Sequence, residues 1–398
     1  MIVLAGGDIV LPDRVIASGA LLIDGDRIVA IDDRSSIRPA GARVIDTAGK
    51  YIVPGFIDVH VHGVEGVDTL DGGDAVAEIA ARLPRYGVTA FCPTTVACDP
   101  TALAAFLDQV GRCRRERAAP SARVLPAHLE SNFINPEYCG AQPVACLRAP
   151  VAAATGTEVS AFAATDILSA IAAARRDVGI VTVAPELDAG IELVRRLVSA
   201  GHRVSLGHSG ADFDTAIAAI DAGARQATHL FNRMPPMTHR APGLVGAILS
   251  RADVAAELIC DMHHVHPAMC QMAIAAKSPR SVMVITDATA GAGLPVGSTA
   301  RLGGRAIRVA DAAAFLEDGT LAGSTLTMDR AFRNVVTTCQ RSIVDAAHLC
   351  STTAARELNL EGLGAIEHDA AADLVILDRR LSVTQTMIAG ELVYDAGR

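Results

Sequence analysis

The sequence predicts an α/β fold: a (βα)8 TIM-like barrel with a small β domain assembled from both termini. Three observations predict it. Eight short apolar runs alternate with alanine-rich helical stretches through the middle of the chain. The two ends are instead rich in β-branched runs separated by turns. No GxGxxG or GxxxxGK(S/T) follows any run, so an open doubly wound sheet lacks its usual phosphate loop.

The elements follow in chain order. VIASGALLIDGDRIVAIDD (15–33) has two β-branched stretches around an Asp-Gly turn, a hairpin signal. The eight runs are FIDVHVH (56–62), GVTAFCPT (87–94), ARVLPAHLE (122–130), GIVTVAPE (179–186), HRVSLGHS (202–209), QATHLFN (226–232), VAAELICD (254–261) and SVMVITDA (281–288). Between them lie helical patterns such as GDAVAEIAARLPRY, DILSAIAAARR and AGIELVRRLVSA. Residues 297–320 lack a long helical pattern and read as a β-hairpin excursion after the eighth run, and residues 323–360 return to helix. AADLVILD (371–378) and SVTQTMIAGELVYDA (382–396) read as strands joined by turns. The division is therefore 1–53 with 361–398 for the small domain and 54–360 for the barrel.

Composition narrows the function. A chain that is 51% hydrophobic and 20% charged is not disordered, and a net charge of −9 disfavours binding nucleic acid through its phosphates. No stretch of 18 uncharged apolar residues occurs, and the N-terminus has no basic segment or cleavage site, so neither a membrane partner nor a signal peptide is expected. Nine cysteines, with no CxxC pair, fit reduced thiols in a cytoplasm, packed as small hydrophobes.

The polar residues carry the chemistry. At period two, Asp58, His60 and His62 share one face of the first run, opposite Ile57, Val59 and Val61. Glu130, His208, His229 and Asp287 each stand at the C-terminal end of a further run, where barrel active sites form. His60, His62, Glu130, His208, His229 and Asp287 offer only nitrogen and oxygen donors, which suits Zn, Fe, Mn or Co, singly or as a carboxylate-bridged pair. A carboxylate among imidazoles around a metal points to hydrolysis, with Asp287 moving the proton. His128 points the same way as Glu130 and reads as packing. Spacing alone does not choose among His263, His264 and His266. His202, His348 and His368 read as structural or exposed, His239 as a surface residue or a phosphate contact, and Arg233 and Arg240 as ordinary solvated charges.

PGFIDVHVHG (54–63), HLE (128–130), GHS (207–209), THLFN (228–232), HHVHP (263–267), ITDA (285–288) and LAGSTLTMD (321–329) together resemble the N-acetylglucosamine-6-phosphate deacetylases of the amidohydrolase superfamily. The resemblance covers nearly the whole chain, and the β-rich termini match the small β-sandwich domain of such enzymes. It implies that Glu130, His208 and His229 are the common metal ligands, that His60 and His62 form the second-metal pair of binuclear members, and that Asp287 is the catalytic acid–base. It further implies that His264 polarises the acetyl carbonyl and contacts substrate, that the Asn232 and Arg233 amides meet the phosphate, and that Gln142 bonds sugar or phosphate. Arg240 would reach the phosphate of a neighbouring subunit, which implies a homodimer. Three departures from the pattern are expected to flank the substrate pocket: Ser131-Asn132 where Gly-Pro is usual, Arg233 where Ala is usual, and Met262 where Gly is usual.

The implied activity is deacetylation of N-acetylglucosamine-6-phosphate to glucosamine-6-phosphate and acetate. The alternative is the galacto epimer or another N-acyl amino sugar. A cyclic-amide hydrolase would carry a carboxylated lysine at the end of the fourth strand. That run ends Val183-Ala184-Pro185-Glu186, and the only lysines, Lys50 and Lys277, lie elsewhere. A non-catalytic scaffold would have lost some of the six ligand-type residues.

Overall fold

A computed structural model describes residues 1–32, 39–116, 120–150, 162–310 and 313–397. Eight parallel strands form the barrel: Phe56–Val61, Val88–Thr95, the split third strand Arg123–Val124 and Ala127–Leu129, Val178–Val183, Arg203–Leu206, Gln226–Ala227, Ala255–Ile259 and Val282–Ile285. Each neighbour pair is in parallel register from the first strand to the eighth. The third strand breaks at Pro126, which has no N–H to give the ladder.

Closure between strands one and eight is made by one side chain together with backbone bonds beyond it. Asp58 is fully buried. It accepts Thr286 Oγ1–H at 2.6 Å and the Thr286 amide at 3.3 Å across the seam. Burial pushes its carboxyl up to about 7 despite those bonds. Beyond it, the Asp287 amide donates to His60 O at 3.0 Å, and the His62 and Gly63 amides both donate to Ala288 O. The seam thus sets the first-strand histidines beside Asp287.

The helices follow the predicted stretches but stop where the sequence stops them. GDAVAEIAARLPRY is an α-helix over Ala75–Arg82 and tightens to 3-10 at Leu83–Tyr86, where Pro84 cannot continue the α ladder. The second and third stretches are helical over Ala164–Ala173 and Gly190–Ser199. The excursion after strand eight is larger than a hairpin. It is a four-stranded antiparallel meander, Thr299–Leu302, Arg305–Val309, Ala313–Phe315 and Leu321–Ser324, of which positions 311–312 lie outside the described residues. Its last strand occupies positions expected to begin the helix, and the helix starts only at Met328. Ser324 returns to the barrel, bridging Ala288 and donating its amide to Asp287 O at 2.8 Å.

Both termini build one sheet. Ile2–Val10 is its axis, antiparallel to Val15–Asp24 and parallel at its two ends to Arg43–Asp46 and Tyr51–Pro54. The C-terminal strands join through Leu374–Leu377, antiparallel to Tyr51–Pro54. This sheet has a separate core that includes Leu4, Ile9, Leu21, Ile28, Ile52 and Ile376. Arg123 clamps this sheet to the barrel, with Nε and Nη2 at 2.6 and 2.9 Å from the Asp373 carboxylate. The same carboxylate accepts the Ala389 amide at 2.7 Å.

Asp373→Ala strands the Arg123 guanidinium and the Ala389 amide. It is expected to cost about 2 kcal/mol, read as a lowered urea midpoint. An unchanged midpoint refutes the clamp.

Candidate active site

The C-terminal ends of the strands bring the predicted donors into one pocket. His208 Nε2 and His229 Nε2 lie 2.9 and 2.8 Å from Glu130 Oε1 and 2.9 Å from each other. His60 Nε2 and His62 Nε2 are 3.1 Å apart, 3.7 and 3.5 Å from the Glu130 oxygens and 3.4 and 3.3 Å from Asp287 Oδ1. All six are buried, at 7% exposure or less. The donors form two overlapping groups, His60–His62–Glu130 and Glu130–His208–His229, with Glu130 common to both. Four imidazole nitrogens facing one another around two carboxylates is a donor set that would fit one or two divalent cations.

The electrostatics agree. Burial works against its charge, but His208, His229 and His62 hold the Glu130 carboxyl well below the usual range. Asp287 is likewise held down, against burial, by His60 and His62. The carboxylates in turn push His62 up to about 10 and His229 up to about 9, against burial.

The backbone makes this convergence possible. His208, His229 and Asp287 have φ of 47°, 28° and 50°, and Phe231, Arg233 and Met262 on the same rim are also left-handed. Such conformations are unfavourable for residues with a Cβ and gather where surrounding structure enforces them. His229 leaves the strand geometry for this reason, so the sixth strand is only Gln226–Ala227.

Two carboxylates that the sequence reading passed over hold the first ring of residues. Glu257, fully buried on the seventh strand, accepts His60 Nδ1–H at 2.9 Å, Gln226 Nε2–H at 2.6 Å and the His229 amide at 3.2 Å. Its signal was visible as a charge inside the apolar run VAAELICD. Asp261 accepts the His263 and His264 amides at 2.8 Å and faces His264 Nδ1 at 2.5 Å. His264 thereby lines the pocket, while His263 is exposed and His266 caps the helix Pro267–Lys277. The choice that spacing left open is made by Asp261. His128 is packed beneath the site between Val59 O and Thr182 Oγ1, and burial holds it neutral, at about 4.

The substrate-side residues divide. Asn232 and Arg233 line the pocket, and Arg233 is exposed there. The Asn232 amide already donates to His229 O at 3.0 Å within its turn. Gln142 also lines the pocket, but its amide group bonds Glu130 Oε2 and accepts the Ala97 amide, so it buttresses Glu130. Arg240 and His239 are exposed, and Arg240 is not among the described residues that line the pocket. Ser131 and Asn132 do not flank the pocket as expected. Ser131 Oγ donates to Thr182 O, and Asn132 Nδ2 donates to Cys98 O and Cys146 O, so both pin the loop to backbone. A cavity of about 770 Å³ opens at the opposite, N-terminal end of the strands. Its arginines, among them Arg114, Arg123 and Arg203, are engaged in ion pairs.

A closed barrel with convergent imidazoles and carboxylates at its C-terminal mouth defines a hydrolase of the amidohydrolase type. Residues 51–393 match the model of the Amidohydrolase family. The chain is 34% identical to an N-acetylglucosamine-6-phosphate deacetylase of Lysinibacillus sphaericus over 89% of each sequence. It is 33% identical to an N-acetylgalactosamine-6-phosphate deacetylase of Escherichia coli O157:H7, over 95% of this chain and 97% of that one. A mutant N-acetyl-D-glucosamine-6-phosphate deacetylase of Mycobacterium smegmatis, solved in complex with N-acetyl-D-glucosamine-6-phosphate, superposes with a TM-score of 0.86 at 32% identity, covering 98% and 99% of the two chains. The chain belongs to the amidohydrolase family and, within it, to the N-acetylglucosamine-6-phosphate deacetylases. It is an enzyme that hydrolyses an amide bond.

Two outcomes follow from the site. Glu257→Gln keeps an acceptor for His60 but removes the charge, and is expected to weaken divalent-metal affinity by about 10–100-fold, measured by chelator competition. Because the neighbouring carboxylates push His62 up to about 10 and His229 up to about 9 in the metal-free protein, metal uptake is expected to release protons and to tighten as pH rises toward that range. Calorimetry in buffers of different ionisation enthalpy reads the released protons, and a count of zero refutes it.

Proposed function

We propose that this enzyme deacetylates N-acetylglucosamine-6-phosphate, giving glucosamine-6-phosphate and acetate. The observation that carries the reading is Asp287 beside His60 and His62, facing the Glu130–His208–His229 group across a pocket that His264 also lines. Glu130, His208 and His229 are the residues to hold one divalent cation, and His60 and His62, sharing Glu130, a second. Zn²⁺ suits these donors best, and Fe, Mn or Co fit the same set. When bound, the cation acidifies water and polarises a carbonyl.

The chain's own residues do the rest. Asp287, held as a carboxylate, takes a proton from the attacking water and later gives it to the departing sugar nitrogen. His264, its Nδ1 fixed by Asp261, presents Nε2 to the acetyl oxygen as negative charge builds there. Arg233 supplies a fork for the sugar phosphate at the rim. Arg240, exposed outside the pocket of its own chain, supports a homodimer in which it reaches the neighbour's substrate. The nine cysteines, all free, support a reducing cytoplasm, and no helix among the described residues is long and apolar enough to cross a membrane.

The galacto epimer is a second reading, because the Escherichia coli relative that acts on it by name is 33% identical, against 34% for the Lysinibacillus sphaericus gluco enzyme. Acetate release from the gluco and galacto phosphates and from unphosphorylated N-acetylglucosamine decides between them. The gluco phosphate is expected to turn over fastest. Asp287→Asn is expected to lose about 10³-fold or more of that rate while retaining metal. Turnover of neither phosphate by metal-loaded wild type, or full activity of the variant, overturns the reading.

A further inference from the structure

Three cysteines far apart in sequence meet outside the catalytic pocket. Cys260 follows the seventh barrel strand, Cys270 lies in the helix Pro267–Lys277, and Cys339 sits in the turn after the helix Met328–Thr337. All three are fully buried, and their sulfurs lie within 4.8 Å of one another. No other thiol among the described residues joins such a group.

Apolar packing does not require this arrangement. A thiol is a weak donor and a weak acceptor; the three face one another, and Cys270 Sγ also donates to Val265 O at 3.7 Å. A single disulfide would join two sulfurs at about 2.05 Å and leave the third out. A closed-shell cation fits all three: thiolate bonds of about 2.3 Å at tetrahedral angles separate the sulfurs by about 3.8 Å, within the observed span. The donor set is wholly soft, unlike the nitrogen and oxygen set of the catalytic pocket.

A positive charge stands beside the cluster. Arg341 Nε donates to Cys339 O at 3.2 Å, keeping a guanidinium against the cluster. The cluster lies one layer deep: Gln340, next to Cys339, is exposed, as is Met272 on the helix of Cys270.

We propose that Cys260, Cys270 and Cys339 form a second metal site, taking a thiophilic divalent cation of the Zn²⁺ class as a tris-thiolate. Binding releases one proton from each thiol in the fully protonated state and involves no electron transfer. The dication with three thiolates carries one net negative charge, which Arg341 faces. Cys260 directly precedes Asp261, and its carbonyl accepts Asn334 Nδ2–H at 2.8 Å. The ion therefore ties the end of the seventh strand to both helices behind the anchor of His264.

Cd²⁺ tests this directly, because the catalytic pocket offers it no sulfur. The reduced, metal-free full chain is titrated with Cd²⁺ without oxygen, and thiolate-to-cadmium charge-transfer absorption is followed in the ultraviolet. The absorption is expected to saturate at one ion per chain. In the Cys270→Ser/Cys339→Ser double variant it is expected to vanish, with one fewer ion bound and the far-ultraviolet circular dichroism kept. Absent absorption in the wild type, or undiminished absorption in a folded double variant, overturns the site. If the variant does not fold, X-ray absorption at the cadmium edge of wild type loaded with one equivalent decides. Three sulfur neighbours support the site, and fewer than three overturn it.

Discussion

The active end of this molecule is governed by one constraint: carboxylates buried in a barrel must be balanced by imidazoles. Glu130, Glu257 and Asp287 sit at 7% exposure or less. An uncompensated buried carboxylate would take up a proton and lose the charge its chemistry needs. His60, His62, His208 and His229 prevent that, and the balance works in both directions, because the same carboxylates hold the histidines in place. Glu257 grips the far side of His60 while Asp287 and Glu130 face its near side. A change to any one partner therefore reaches the protonation and the geometry of the rest.

That balance is built from strained backbone, and strain needs a stiff frame. Three of the ligand-type residues are left-handed at non-glycine positions. The frame that holds them includes the Asp58–Thr286 staple, which closes the barrel directly beneath the site, and the return of Ser324 onto Asp287 O. Closing the barrel and placing Asp287 are one event, since the amide of Asp287 is itself bonded to His60 O.

Period and position made much of this legible in the sequence. Alternation in FIDVHVH put Asp58, His60 and His62 on one face, and the remaining donors stood at run ends, where barrel chemistry gathers. What stayed hidden depends on side-chain direction. Ser131 and Asn132, next to Glu130 in sequence, turn onto backbone carbonyls and not toward substrate. Gln142 turns to Glu130, and His264 is distinguished from His263 and His266 only by the grip of Asp261. The meander after strand eight was read too short because Leu321–Ser324 carries no alternation; it is a strand by virtue of pairing with Ala313–Phe315.

The sheet shared by both termini has a consequence for the order in which the protein can be made. Tyr51–Pro54 leads straight into the first barrel strand, yet its partner Leu374–Leu377 lies more than three hundred residues later in the chain. During synthesis the N-terminal strands must wait with one edge unpaired while the whole barrel emerges from the ribosome, and an unpaired apolar edge invites wrong partners. Contacts of such long sequence separation also form slowly. The docking of the C-terminal strands, sealed by Asp373 on Arg123, is then the step that ends exposure of the nascent chain. Truncation near the C-terminus would act on yield from the cell before it acted on any chemistry at the other end of the barrel.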